Sequence, residues 1–254
     1  LDLQALGCHN INLVTPSHVV AQIIAAVHIA ARRGLRLPLV YNTGGYDSPE
    51  ALALLDGIVD IYMPDRKYGA SKLARRYSHV RDYVDVNRAA VKQMHRQVGD
   101  LRLDAQGIAQ RGLLVRHLVL PNELAGTESV MRFLADEISR ETYVNVMAQY
   151  RPCFRAHELP PLNRRITDQE YGRAVGLAQE AGTEREHVGV VVLPAVAGRR
   201  EVVTEGGPHP RHLVGGHARA DTGSVYHHAD VSGTGRHGLG NGPGVDRVVH
   251  CFTG

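Results

Sequence analysis

The side chains with chemistry to offer in this sequence stand at the ends of short apolar, β-branched runs. Asn10, Thr15 and His18 flank Ile11–Val14; Asn42 and Asp47 follow Leu37–Tyr41; Asp65 and Lys67 follow Ile58–Met63. Arg116 and His117 lie within Leu113–Val119, and Asn145, Gln149 and Arg151 lie in or after Thr142–Met147. Asp65 and Lys67 set opposite charges two residues apart, and charges of both signs close together suit a zwitterionic ligand. The same residues have plainer readings. Asp65 and Lys67 make a solvated pair, Thr15-Pro16 caps a helix, His117 is a satisfied core histidine, and Arg116 needs a partner if its strand is buried.

The elements that must position these groups alternate. Thr15-Pro16 reads as an N-cap followed by Pro at the first helical position. Val19, Val20, Ile23, Ile24 and Val27 then form one apolar stripe, closed by Gly34. Ser48-Pro49 repeats the cap signal for a short helix ending at Gly57. Arg81–Val98 reads as a helix, and Leu101–Arg111 as a small hairpin turning at Asp104-Ala105-Gln106-Gly107. Thr127–Ile138 is a further helix. Thr167-Asp168-Gln169-Glu170 is a capping box that opens the last helix, which ends near Gly182. Five strands alternating with helices predict a parallel α/β sheet. An open doubly wound sheet and a (β/α) barrel both fit this pattern, and both place functional groups at the C-terminal ends of the strands.

Composition narrows the classes. Lys+Arg 29 against Asp+Glu 26 leaves +3, too weak a bias to argue for nucleic acid. No apolar stretch is long enough for a membrane span and no secretory leader opens the chain. The expected compartment is the cytoplasm. Cys8, Cys153 and Cys251 lie 145 and 98 residues apart, which excludes a disulfide scaffold and a local Cys-x-x-Cys metal site. Cys8 and Cys153 read as buried small hydrophobes.

The chain divides into residues 1–186, where the alternation is regular, and residues 187–254, where it stops. The second part holds 14 Gly and 8 of the 15 His, has no Lys, Ile, Met or Gln, and has one apolar run, Val188–Val192. Such a segment buries too little to offset its ordering entropy, so it is expected to be largely disordered. Its bias also suits translation of a GC-rich gene out of frame, with the native frame lost near Glu184–His187. His227-His228 with Asp230, and His209 with His212, are candidates for weak metal binding, disfavoured because the sequence around them predicts no ordered second shell. A metal-dependent hydrolase is disfavoured, because no His pair at ligand spacing ends a strand in the first part.

Several long segments carry a resemblance. They are Gly7-Cys8-His9-Asn10-Ile11-Asn12-Leu13-Val14-Thr15-Pro16-Ser17-His18, Tyr41-Asn42-Thr43-Gly44-Gly45-Tyr46-Asp47, Tyr62-Met63-Pro64-Asp65-Arg66-Lys67-Tyr68, Arg116-His117-Leu118-Val119 and Gln149-Tyr150-Arg151-Pro152-Cys153. Together, over roughly Gly7 to Gly182, the chain resembles radical S-adenosylmethionine proteins similar to pyruvate formate-lyase activating enzyme.

The resemblance implies a partial (β/α)6 barrel of the TIM type, of which the five strands are the second to sixth. It implies a [4Fe–4S] cluster held by Cys-x-x-x-Cys-x-x-Cys, and S-adenosylmethionine bound to the cluster's fourth iron. The chemistry is reductive cleavage of S-adenosylmethionine, followed by hydrogen abstraction from a substrate. The implied cofactor-binding residues are Thr15, Pro16, His18, Asn42, Thr43, Asp65, Lys67, Arg116, His117, Asn145 and Gln149, with Lys67 pairing the methionyl carboxylate. No residue of this chain is assigned as catalytic or as a metal ligand. The first strand and the cluster loop are expected upstream of Leu1, which is not Met, so the chain reads as an inactive fragment of a parent enzyme. A protein glycine is the kind of substrate the likeness points to for that parent, and neither nucleic acid nor a membrane is an expected partner. The alternative is a non-catalytic half barrel that binds adenosyl compounds.

Overall fold

A computed structural model describes residues 1–181 and the strand Val249–His250. In chain order the elements are α1 (Asp2–Ala5), β1 (Ile11–Val14), α2 (Val20–Arg32), β2 (Leu39–Thr43), α3 (Pro49–Leu54), β3 (Ile61–Arg66), α4 (Ser71–Ser78), α5 (Tyr83–Val98), β4 (Arg102–Leu103), β5 (Ala109–Leu118), α6 (Thr127–Glu137), β6 (Tyr143–Met147), α7 (Asp168–Glu180) and β7 (Val249–His250). The expected low order of residues 187–254 falls outside the described residues, apart from β7.

The five expected strands are present as β1, β2, β3, β5 and β6, and all pair in parallel. Their order across the sheet follows the chain, β1-β2-β3-β5-β6, with β4 and β7 added antiparallel to β5 and β1. A sheet whose strands step always in one direction is singly wound, and right-handed crossovers then send its helices to one face. One apolar cluster records this. Tyr41, Tyr62, Leu113, Val115, Val144 and Val146 from the strands meet Val20, Leu52, Val91, Met94, Phe133, Leu134 and Ala178 from the helices. The alternate strand residues Val40, Ile61, Met63 and Leu114 form a separate cluster that contains no described helix residue.

Local signals set most boundaries. The Ser48 hydroxyl accepts from the Ala51 amide at the start of α3, and Thr167 with Glu170 forms the expected capping box of α7. The expected hairpin forms around Asp104, whose carboxylate accepts from the amides of Gln106 and Ile108 at 2.9 Å each. Its second arm runs on without a break into the long strand β5. Two readings are corrected. Thr15 does not cap α2; it adopts a left-handed conformation (φ 49°) and makes no capping bond, Pro16–His18 is a single 3-10 turn, and α2 begins at Val20. Cys153 is exposed, not a buried small hydrophobe.

Candidate functional site

Paired residues in neighbouring parallel strands face the same side of the sheet, and successive residues face opposite sides. The register therefore sorts the expected site residues. Asp65, Arg116 and Asn145 are lateral neighbours on β3, β5 and β6. Asn42 pairs with Met63 and so stands on the same face, one step back along β2. Arg66 pairs with His117, one residue on, and faces the helices.

The centre of the row is Asp65. Its Oδ1 accepts from Arg116 Nε at 2.8 Å and Nη2 at 2.6 Å, and its Oδ2 accepts from Lys67 Nζ at 2.7 Å. Asp65 and Arg116 side chains are 14% and 23% exposed, and Lys67 is 40% exposed. Arg116 thus has the partner that a largely buried guanidinium requires. One carboxylate between two cations leaves the trio at +1, with the surplus on its exposed members. Such a site attracts a carboxylate, and Asp65 remains beside it for a positive group.

Residues distant in sequence hold this end of β3. Asn87 on α5 is fully buried, and its Nδ2 donates to the carbonyls of Gly45 at 2.8 Å and Asp65 at 3.1 Å. The Lys67 amide donates to the Tyr83 hydroxyl at 2.9 Å, and burial pushes the Tyr83 phenol up to about 12, so it stays a neutral hydroxyl. The Tyr46 ring lies parallel to Tyr83, and its hydroxyl donates to Asp82 at 2.7 Å.

A second knot joins the loops after β1 and β2. Asp47, buried at 3% exposure, accepts from Ser17 Oγ at 2.5 Å, Thr43 Oγ1 at 2.7 Å and Tyr41 Oη at 3.0 Å. Burial raises the Tyr41 phenol well above its ordinary range. Three neutral donors on one carboxylate can fix a loop without competing charge.

The structure thus gathers Asn42, Asp65, Lys67, Arg116 and Asn145, and separates the other expected residues from them. Thr43 belongs to the Asp47 knot. Thr15 touches the site only through its amide, which donates to the Asn42 carbonyl at 2.7 Å. Pro16 is buried and His18 is exposed at the 3-10 turn. Gln149 is exposed beside a cavity of about 300 Å³ shared with Arg151, Arg165 and the start of α7.

His117 is fully buried under α6. It donates from Nδ1 to the Arg66 carbonyl at 2.8 Å, and its Nε2 lies 2.9 Å from Thr127 Oγ1. The carbonyl can only accept, so Nδ1 carries the proton and the Thr127 hydroxyl donates to Nε2. Asn87, Tyr83 and Ser17 were not singled out by the sequence reading; their partners lie 42, 16 and 30 residues away.

Arg66 is the anomaly of the site's far side. Its side chain is fully buried, and none of its three guanidinium nitrogens has a hydrogen-bond partner. Its Cζ stands 4.5 Å from the centre of the Phe133 ring, and the Arg88 Cζ stands 4.8 Å from the same ring. Burial lowers the Arg66 guanidinium to about 10, still charged at neutral pH. Sealing an unpaired cation from water costs several kcal/mol, and a cation–π contact returns about 2 kcal/mol when desolvated.

The fold and the row define a class: an α/β protein with a mainly parallel sheet and a charged row of side chains where its strands end. Over 145 residues the chain is 35% identical to an uncharacterized protein of Methanocaldococcus jannaschii. The match takes in 57% of this chain and 38% of that protein, so the chain spans well under half the length of this curated relative. No protein-family model matches the chain, and no solved structure matches it. Among the described residues no three His, Cys, Asp or Glu side chains gather to hold a metal, and no helix is long and apolar enough to cross a membrane.

Proposed function

We propose that this chain is the S-adenosylmethionine-binding part of a radical S-adenosylmethionine protein similar to pyruvate formate-lyase activating enzyme, its sheet an arc of a partial (β/α)6 barrel. One observation carries the reading: Asp65 is held between Arg116 and Lys67 on the face of the sheet away from the helices, with Asn42 and Asn145 in reach of the same face. The sequential strand order supports the barrel arc. Lys67 and Arg116 attract the methionyl carboxylate, Asp65 faces the ammonium or sulfonium, and the two amides recognise the ribose or the base. A cytoplasmic location and, for the longer parent, a protein glycine as substrate belong to the same proposal.

The donor set for a [4Fe–4S] cluster is a different matter. It needs three thiolates close together, and of the described cysteines one is buried and the other exposed in a loop. These residues do not fit the cluster. That mismatch favours the second reading for the chain taken alone, a non-catalytic binder of adenosyl compounds.

Calorimetric titration with S-adenosylmethionine tests the site. Saturable binding is expected, weakened about tenfold in Lys67→Met, which corresponds to the loss of one charge-assisted hydrogen bond. Asp65→Asn, which leaves Arg116 and Lys67 uncompensated, is expected to retain S-adenosylhomocysteine better than the sulfonium compound. Absence of binding heat, or equal affinities in the wild type and Lys67→Met, overturns the assignment.

A further inference from the structure

We infer that the space between β3, α5 and α6 binds a small monovalent anion, no larger than a carboxylate, on the guanidinium of Arg66. Buried donors converge there without partners: all three guanidinium nitrogens of Arg66 and the Nε of Arg88, both side chains lying on the Phe133 ring. A planar guanidinium presents a fork of donors matched to an anion, and an aromatic face satisfies none of them. A water molecule accepts from such a fork without neutralising it.

The charge balance points the same way. Arg66, Arg88 and Lys92 all lie on the Phe133 ring, Lys92 at 5.9 Å. Their carboxylate partner is Glu137, which Lys92 already holds at 2.6 Å and Arg88 reaches only at 3.6 Å. Arg88, Phe133, Ser129 and Arg132 also line a cavity of about 370 Å³ that leads to this ring from outside. Glu128, Asp136 and Glu137 share its walls. Their negative charge disfavours a multiply charged ion, which selects the monovalent class. Arg66 lies between Asp65 and Lys67 in the chain, so an anion here braces the strand end that carries the ligand-facing trio.

Thermal unfolding at constant ionic strength tests this, with bulky gluconate replaced stepwise by chloride or formate. The midpoint is expected to rise saturably, by about 3–5 °C at ten times the dissociation constant. Arg66→Met is expected to lose that rise. Arg132→Gln, which removes an exposed guanidinium bonded to Glu128 at 2.6 Å, is expected to keep it. An equal midpoint in chloride and gluconate, or a rise that survives in Arg66→Met, overturns the site. Should Arg66→Met fail to fold, chloride-35 line broadening decides on folded proteins: excess broadening by the wild type that falls in Arg88→Gln supports the site, and no excess broadening refutes it.

Discussion

His117 is neutral at pH 7 because full burial pulls its imidazole down to about 4, against an ordinary value of 6.5. The native state therefore refuses a proton that the unfolded chain accepts. Between pH 6.5 and 4 the unfolded state binds more protons, so stability falls as the pH falls through that window and is fully present above it. The shift corresponds to about 3 kcal/mol. In urea titrations the advantage of the wild type over His117→Gln should shrink by about that amount from pH 7 to pH 4. Parallel pH profiles would show that the burial of this imidazole is not what sets acid stability. The same residue shows how strand alternation could have sorted the site from sequence alone. Arg116 and His117 are adjacent in β5 and must face opposite sides, as must Asn42 and Thr43 in β2. Of these four, only Arg116 and Asn42 share the face of Asp65.

At the scale of elements, the end of β3 is held by α5 through the Asn87 amide and the Tyr83 hydroxyl, and the Asn87 contact leaves no room for a side chain at position 45. Gly45 has φ of 73°, and a Cβ there would run into Asn87 Nδ2 and the Asp65 carbonyl. Gly45→Ala should cost about 2–3 kcal/mol, from left-handed strain plus the displaced amide. It should also weaken the S-adenosylmethionine binding proposed for Asp65, because the carbonyl that Asn87 holds belongs to that residue. A substitution that melts within a degree of the wild type and binds as well would detach α5 from the site. None of this was legible in spacing, since Gly45 and Asn87 are 42 residues apart. What the sequence did reveal were elements fixed by their own neighbours: the five parallel strands, the Ser48 cap and the Thr167–Glu170 box. The helix α4 was missed for the same reason in reverse. Ala70 gives it no capping side chain, and only Ala74 within it is buried. It is held instead by tertiary packing of Leu73 and Tyr77 against a cluster that includes Tyr83, Leu120 and Leu162.

For the whole molecule, the question is how much chain the sheet needs. Among the described residues, every member of the helix-side core, including its partly buried fringe, lies between Val20 and Ala181. The last helix contributes Ala174 and Ala178 to that core, and the Tyr171 hydroxyl donates to the Val146 carbonyl at 3.2 Å, covering the strand β6. Its start is tied back by Glu170, which accepts from Arg164 and from the Asn122 amide and is held well below the usual carboxylate range by the Arg164 guanidinium. A chain ending after Ala181 therefore keeps every described member of that core, and one ending after Ile166 strips the helix from Val144 and Val146. The first should unfold in urea as one cooperative transition, with a slope of about 2 kcal/mol/M. The second should lose that cooperativity and bind a dye for exposed apolar surface, because the helix face of β6 is left open. If the shorter chain unfolds as sharply as the longer one, α7 is an ornament on the sheet. If neither unfolds cooperatively, the core needs residues beyond 181.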